Sequence, residues 1–284
     1  VSQGVLLSNL VGGQIEVTDN SIIGTTGIAA EFPDLPSGQG LALINVIPGN
    51  IDITLSDQNR ISENADDGFF LLLSSPIAES TPTEATTANV NISNNRIENN
   101  GDSTDPSGDG ISLVLEGNAR MDRLVILDNV INNNGDDGVD IRSGFISSTV
   151  SDLLPISIDS NAQINNASIR GNTINLPSNG NQVGIRLDAH QATRLQTTVE
   201  NNQILEGNPG LEATLFANTA GENPAEICLR VQDNQNSDPG FNLLNIGAGT
   251  FQVLNLPTIL TDNTGSTTIG PGITTGTTGI APCP

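Results

Sequence analysis

The sequence contains no lysine, tryptophan or tyrosine, one histidine, one methionine and two cysteines among its 284 residues. All nine basic residues are therefore arginine, and they face 32 acidic residues, which gives a formal net charge of −23 at pH 7. This charge repels nucleic acid and anionic membrane surfaces, so neither is an expected partner. The surface also lacks the aromatic platforms on which sugars commonly stack, which argues against sugar-cleaving functions.

Long apolar runs are absent as well. No stretch approaches the roughly 20 apolar residues that a bilayer span needs, so we expect no membrane span. Only 14% of the residues are charged and 36% are hydrophobic, so the chain can bury an aliphatic core and is not a disordered acidic tail. Because its first residue is not methionine, we expect a processed or excerpted piece of a longer protein.

The sequence does contain an internal repeat. Asparagine followed two residues later by isoleucine recurs at intervals of 30 to 43 residues, and a degraded copy stands at Asn234. A β-branched apolar residue precedes most of these asparagines by three positions, so each copy has an inward residue, a turn and a second inward residue. The asparagines of the six regular copies are Asn20, Asn59, Asn95, Asn129, Asn172 and Asn202.

A glycine follows each asparagine turn and opens an alternating apolar strand, as in DGISLVL from Asp109 and DGVDI from Asp137. A fixed order with variable spacing indicates stacked coils whose loops differ in length. Helical solenoids, leucine-rich repeats and calcium β-rolls are excluded because their periodicity or motifs are absent. We predict an all-β, right-handed parallel β-helix (solenoid) of about seven rungs over residues 1–245, followed by an irregular C-terminal cap or tail over residues 246–284.

The unit NNRIENN…GDGISLVL resembles the repeat of the pectate-lyase-like superfamily of right-handed parallel β-helix proteins, over about residues 14–245. The C-terminal stretch ICLRVQDNQNSDPGFNLLN also resembles the ending of β-helix domains in cyanobacterial surface or secreted proteins. The resemblance implies the fold but does not select a function, because this fold hosts lyases, hydrolases, phage tailspikes, adhesins and surface-layer proteins.

The repeated residues have a physical role in such a coil. Parallel strands lie about 4.8 Å apart, and the chain must bend at the same place in every rung. Asparagine tolerates a left-handed backbone, and its amide can bond the equivalent amides above and below it. We therefore predict that the six asparagines form a ladder in one corner, and that the glycine supplies the next corner at low steric cost.

Counting from the repeated glycine places charged residues at outward positions on successive rungs of one sheet. Asp140 is predicted to lie against Arg186, and Arg142 against Asp188, with Glu212 beside them. One interpretation is a charge-paired solvent face, in which each exposed pair contributes about 0.2–1 kcal/mol. The other is a catalytic patch, because the lyases of the resembled family hold calcium with carboxylates and abstract a proton with arginine or lysine.

Paired aspartates recur before the glycine, as ADDG and GDDG. Turn chemistry accounts for them, but paired carboxylates at an exposed turn can also bind calcium weakly. These weak calcium candidates are Asp66, Asp67, Asp136 and Asp137, and no other cofactor is expected.

The two cysteines, Cys228 and Cys283, are predicted to form one disulfide, since a secreted compartment allows it. The bond would hold the C-terminal tail over the open end of the core.

These features favour a non-catalytic structural or adhesive building block of an extracellular or cell-surface assembly: a filament, a surface layer or an adhesin stalk. Self-association or continuation of a longer parent chain is then expected, and cell-surface polysaccharide is a further candidate partner. The alternative is a calcium-dependent polysaccharide lyase or another carbohydrate-active β-helix enzyme. Its site would contain Asp140, Arg142, Arg186 and Asp188.

Overall fold

The computed structural model describes residues 4–25, 38–75, 85–101, 108–144, 160–177, 182–206, 208–216, 225–236, 240–246 and 249–275. All regular structure in these ranges is β-strand, in 25 strands. The described residues contain no helix with the length and apolar character that a membrane crossing requires. The strands belong to three sheets, and all neighbouring strands in them are parallel.

Sheet 1 contains nine strands, which lie in chain order. They are β1 (Val5–Ser8), β4 (Leu41–Asn45), β7 (Phe69–Ser75), β10 (Ile111–Gly117), β13 (Val139–Ser143), β16 (Ile185–His190), β19 (Leu211–Phe216), β22 (Phe241–Ile246) and β24 (Thr267–Ile269).

Sheet 2 also contains nine strands, and sheet 3 contains seven. The strands of sheet 2 are β2 (Gly12–Thr18), β5 (Gly49–Ser56), β8 (Thr86–Ser93), β11 (Arg120–Leu127), β14 (Gln163–Arg170), β17 (Arg194–Glu200), β20 (Glu226–Gln232), β23 (Thr250–Val253) and β25 (Ile273–Thr275). The strands of sheet 3 are β3 (Ser21–Ile23), β6 (Arg60–Ser62), β9 (Arg96–Glu98), β12 (Val130–Asn132), β15 (Thr173–Asn175), β18 (Gln203–Leu205) and β21 (Gln235–Asn236).

Three consecutive strands, one from each sheet, form one rung. The strand orders give seven rungs of three strands and two further rungs of two strands. Equivalent residues stack in register: Ile111 pairs with Phe69 of the preceding rung and with Val139 of the next one. The predicted fold class, a right-handed parallel β-helix, is confirmed, and its hand is the one that crossovers between parallel strands adopt.

Sheets 1 and 2 extend into the C-terminal segment. Strands β23, β24 and β25 pair in parallel with the strands of preceding rungs. The segment for which we predicted an irregular cap thus contributes strands to the stack up to residue 275. Residues 276–284 lie outside the described ranges.

Alternate residues of each strand point inward and form one aliphatic core along the solenoid. Ile111, Leu113 and Leu115 of β10 are fully buried. Isoleucines stack in the middle of the sheet 3 strands, because the period of two places one inward residue in each three-residue strand. This column contains Ile61, Ile97, Ile131, Ile174 and Ile204.

The repeated asparagines lie at the corner between sheets 2 and 3, stacked rung on rung. The backbone N–H of Asn20 donates to Asn59 Oδ1 at 2.9 Å. From Asn59 onward each side-chain amide donates to the Oδ1 of the next asparagine. These links, at 2.8 to 3.0 Å, join in order Asn59, Asn95, Asn129, Asn172, Asn202, Asn234 and Asn263.

The left-handed backbone of this corner lies one residue earlier than we predicted. None of the ladder asparagines, all of which lie in the described ranges, has a positive φ, whereas the residue before each of them except Asn263 does. The φ angle is 51° at Asp19, 56° at Asn94 and 53° at Asp128. The preceding residue therefore turns the chain, and the ladder position needs asparagine for its amide.

A second, shorter ladder that the sequence pattern did not predict lies at the corner between sheets 3 and 1. The Asn64 amide donates to Asn100 Oδ1 at 2.8 Å, and the Asn100 amide donates to Asn134 Oδ1 at 2.9 Å. All three side chains are buried. This ladder fixes the corner from which the central strands of sheet 1 begin.

Candidate functional site

The predicted charged patch lies on strands β13 and β16 of sheet 1. Asp140 pairs in register with Arg186, and Arg142 pairs with Asp188. Glu212 of β19 continues the Arg186 row on the following rung. The stacking therefore brings the four candidate catalytic residues onto two adjacent rungs.

A column of aspartates lies beside this patch, at the corner that precedes each strand of sheet 1. Asp67, Asp109 and Asp137 each precede the glycine that opens the strand. Asp67 Oδ1 accepts the Asp109 N–H at 2.8 Å, and Asp109 Oδ1 accepts the Asp137 N–H at 2.9 Å. Asp137 Oδ1 accepts the N–H of Val183 on the next rung at 2.7 Å. These carboxylates form a ladder of their own.

Two arginines contact this acidic cluster. Arg186 Nε lies 2.9 Å from Asp137 Oδ2, and Arg142 Nη2 lies 2.5 Å from Asp140 Oδ2. The ion pairs therefore differ from the register pairs that we predicted. Arg142 contacts the aspartate two residues before it on the same strand, and Arg186 contacts the corner residue of the preceding rung.

The patch is not the solvent face expected from its outward positions. The exposed fraction is 0% for Asp137, 1% for Asp140 and 9% for Asp188. The magnitude expected for exposed pairs, below about 1 kcal/mol, therefore does not apply. Removing one partner of a buried ion pair costs about 3–5 kcal/mol, because it leaves a buried charge uncompensated.

Burial raises the pKa of the carboxyl groups in this cluster. The pKa of Asp137 is raised to about 8, although Arg186 opposes the shift, and the pKa of Asp188 is raised to about 7. Burial and the neighbouring carboxylates raise the pKa values of Asp67 and Asp109 well above their ordinary range. Around neutral pH these groups therefore hold protons or require compensating cations.

Asp109 belongs to the cluster but was not among the predicted site residues. One carboxylate oxygen from each of Asp109, Asp137 and Asp140 lies within 4.8 Å of the other two. The sequence did carry a signal for it: GDG at residues 108–110 has aspartate immediately before the glycine, as ADDG and GDDG do. The position before glycine, and not the pairing of aspartates, determines which carboxylates stack.

The first aspartate of each pair lies outside this three-carboxylate group. Asp66 and Asp136 are only partly buried. Asp66 Oδ2 accepts a hydrogen bond from Gln39 Nε2 at 2.7 Å. Of the four weak calcium candidates, Asp137 alone belongs to the group of three oxygens.

The remaining predicted site residues are the cysteines. Cys228 lies in β20 and is buried. Cys283 lies outside the described residues, so the disulfide stays a prediction.

The single histidine lies at the end of β16, close to the charged patch. The ring of His190 stacks on that of Phe216 of the next rung, with centroids 4.5 Å apart and an interplanar angle of 12°. Burial and the charge of Arg142 lower the pKa of His190 to about 4. The imidazole is therefore neutral at physiological pH.

The fold defines the class of this chain as a parallel β-helix protein. No family model, curated protein or solved structure matches the sequence. The resemblance to the pectate-lyase-like superfamily accordingly has the support of the fold alone, and function must be argued from the residues.

Proposed function

We propose that this chain is a non-catalytic building block of an extracellular surface assembly, such as a filament, a surface layer or an adhesin stalk. The observation that carries the proposal is the unbroken stack, with nine strands in each of two sheets and an asparagine ladder that reaches Asn263. The buried amides of this ladder join neighbouring rungs, and such satisfied networks rigidify a fold. A stiff rod of this kind suits a structural role.

The first rung offers a surface for assembly. Strands β1, β2 and β3 each lie at the end of their sheet, so one edge of each is unpaired among the residues that the structure describes. Val11 is 76% exposed there, and Leu6 and Ile23 are exposed as well. Unpaired edges beside apolar side chains recruit further strands. In a longer parent chain preceding rungs would cover this end, and in the isolated chain a second copy would do so.

The proposed location is outside the cell or on its surface. A disulfide between Cys228 and Cys283 belongs to this proposal, because such bonds persist in oxidising compartments. The resemblance of the C-terminal stretch to cyanobacterial surface or secreted β-helix domains supports the same location. Cell-surface polysaccharide remains a candidate partner of the assembled rod.

Sedimentation velocity over a range of concentrations tests the assembly. We expect the wild-type chain to self-associate reversibly. Val11→Glu places a like charge at the exposed end and should shift association to about tenfold higher concentration. Leu260→Glu, at an exposed apolar residue of the C-terminal segment, is the matched control and should leave association unchanged. A wild-type chain that stays monomeric at high concentration contradicts the proposal.

A calcium-dependent polysaccharide lyase, or another carbohydrate-active enzyme, is the second candidate, because Asp140, Arg142, Arg186 and Asp188 lie on adjacent rungs. Two features weigh against it. The carboxylates are buried away from a polymer, and the arginine is poorly suited to act as a base. Burial opposes the charge of Arg142, but nearby Asp140 and Asp109 outweigh burial and raise its pKa.

A panel of acidic and neutral polysaccharides separates the two candidates. Each is incubated with the chain and calcium, and unsaturated or reducing ends are measured. We expect no products. Product formation that Arg142→Ala abolishes would establish the enzyme instead.

A further inference from the structure

We propose that Asp109, Asp137 and Asp140 bind one divalent cation, of the size of calcium, inside the wall of the β-helix. The ion joins two neighbouring rungs, because Asp109 precedes β10 whereas Asp137 precedes β13 and Asp140 belongs to it. Its role is structural. The proposal goes beyond the assembly function and does not depend on it.

The spacing of the three carboxylates fits an ion of this size. One oxygen of each residue lies within 4.8 Å of the others. Calcium holds oxygen ligands at 2.3–2.6 Å, so two ligands on opposite sides of the ion lie about 5 Å apart. Magnesium demands near-ideal octahedral geometry at about 2.1 Å and gives up its water reluctantly, so a site built from protein carboxylates suits calcium better. Carboxylate oxygens favour both ions over transition metals.

A second observation points to a ligand at this position. Asp140 is 1% exposed, and its Oδ1 has no hydrogen-bond partner among the residues that the structure describes. Its other oxygen, Oδ2, contacts Arg142. One buried oxygen of a carboxylate in the group is therefore left without a donor. A buried carboxylate oxygen without a partner is strongly unfavourable, and a cation removes that cost.

The neighbouring rung shows the same shortage of partners. Asp188 Oδ1 lacks a hydrogen-bond partner within the described ranges, and its side chain is buried. Arg142 and Arg186 both have a closer carboxylate, in Asp140 and Asp137 respectively. Each of the two arginines therefore forms its closest ion pair with an aspartate other than Asp188.

The charges of the cluster lead to the same conclusion. Five buried carboxylates lie in or beside the site, against two arginines, so the fully ionised cluster has an excess of three negative charges. One divalent cation reduces this excess to one. The groups counted are Asp67, Asp109, Asp137, Asp140 and Asp188, with Arg142 and Arg186.

The burial of the three ligands distinguishes this site from a catalytic calcium site, in which the ion contacts the substrate. Asp109, Asp137 and Asp140 are all buried, so a bound ion lies within the wall. An ion held there stabilises the folded chain by binding it more tightly than the unfolded chain. The measurable consequence is a calcium-dependent melting temperature in the absence of any polysaccharide.

Isothermal titration calorimetry of the full chain tests the proposal. The protein is stripped with EDTA, dialysed and titrated with calcium chloride at fixed ionic strength. We expect one site per chain, and a melting temperature raised by roughly 5–10 °C at a hundredfold excess over the dissociation constant. Magnesium chloride at the same concentration should raise the melting temperature less.

Asp109→Asn is the informative variant. Asparagine keeps an oxygen that can accept the Asp137 N–H, and Asp109 forms no ion pair with a described arginine, so no cation loses its partner. The calcium affinity should fall at least about tenfold, and the gain in melting temperature should disappear. Asp128→Asn is the matched control, because Asp128 is an exposed carboxylate whose φ of 53° asparagine tolerates. It should behave like the wild type.

Asp140→Asn provides a second test should Asp109→Asn fail to fold. Loss of the calcium site in either variant, with the control unchanged, supports the proposal. The proposal is overturned if the wild type binds no calcium, or if a folded variant binds it as tightly as the control. It is also overturned if binding is diffuse and equal in all four chains, as expected for counter-ions around an acidic surface.

Discussion

The Cβ atom that Gly110 lacks would lie 2.6 Å from Cγ2 of Ile131, which follows almost one full turn later in the chain. Real Cβ atoms do not approach a neighbour so closely, and the φ of Gly110 is not positive. At Gly110 the glycine that opens the strand is therefore required for close packing and not, as we predicted, for backbone freedom at a corner. The same contact, at 2.3 to 2.6 Å, recurs between Gly40 and Ile61, Gly68 and Ile97, Gly138 and Ile174, and Gly184 and Ile204.

Gly110→Ala should lower the free energy of unfolding by about 1–3 kcal/mol, the usual cost of overpacking a core. Gly12→Ala is the comparison, because its nearest contact would be 3.2 Å and the residue is exposed. Chemical denaturation of both variants measures the difference. Equal losses of stability at the two positions would show that the close contact at Gly110 does not require glycine.

Asn129→Ala should destabilise the chain by about 3 kcal/mol or more. The substitution removes the oxygen that accepts from the Asn95 side-chain amide at 3.0 Å, and the amide that donates to Ile92 O at 2.9 Å. Each buried group left unsatisfied costs about 1–3 kcal/mol. Asn89→Ala removes an exposed asparagine that bonds Asp52 and should cost far less. Thermal or chemical unfolding of the two variants checks the ranking.

His190 should make the chain less stable in acid. Its pKa in the folded state is lowered from 6.5 to about 4, so the unfolded chain takes up the proton first. The stability linked to this group is present above pH 6.5 and is lost as the pH falls towards 4. His190→Phe keeps an aromatic ring against Phe216 but cannot titrate.

The measurement is the difference in melting temperature between His190→Phe and wild type as a function of pH. The contribution of the carboxylates is common to both chains and cancels in this difference. We expect the melting temperature of His190→Phe to rise relative to that of the wild type as the pH falls below 6.5. A difference that does not change with pH would rule out the lowered pKa.

The disulfide prediction can be tested by counting thiols. We expect no free thiol in the unreduced, denatured chain and two after reduction, since Cys228 and Cys283 are the only cysteines. A bond that closes a ring of this size contributes about 4 kcal/mol as an upper estimate, so reduction should lower the melting temperature. Two thiols in the unreduced chain would contradict the pairing.

The sequence predicts the fold because the repeat has a strict physical cause. At the ladder position a buried side-chain amide must reach the equivalent amide on the next rung, and asparagine meets this requirement. Asn59 and Asn95 therefore recur in the sequence as part of a recognisable pattern. The residue before each of them only has to adopt a left-handed backbone, which Gln58, Asn94 and Asp128 all do. That position varies too much to be found by pattern. Asn263 was not among the predicted copies, and the isoleucine that marks the six regular copies is absent after it.

The sequence predicted which charged residues lie opposite each other on neighbouring strands, but it did not predict that they are buried. Alternation along a strand places Asp140 against Arg186, since the period of two is fixed by the backbone. Whether an outward position is exposed depends on tertiary packing over the sheet, which this alternation does not encode. The burial of Asp140 and the ion pair between Arg186 and Asp137 could therefore be found only in the structure.

The asparagine ladder has a direction. The side-chain amide of Asn59 donates towards Asn95, and the links that follow run the same way as far as the one from Asn234 to Asn263. The amide dipoles are therefore aligned head to tail along the axis, and aligned hydrogen bonds polarise one another.

The last link closes the series. The Asn263 amide donates to the backbone carbonyls of Val231 and Ile259, and to no further asparagine among the residues that the structure describes. At the other end, a rung that continued the ladder would have to donate an amide N–H to Asn20 Oδ1. The two ends of the ladder are thus chemically different: a further rung would meet a side-chain acceptor at Asn20 and a side-chain amide donor at Asn263.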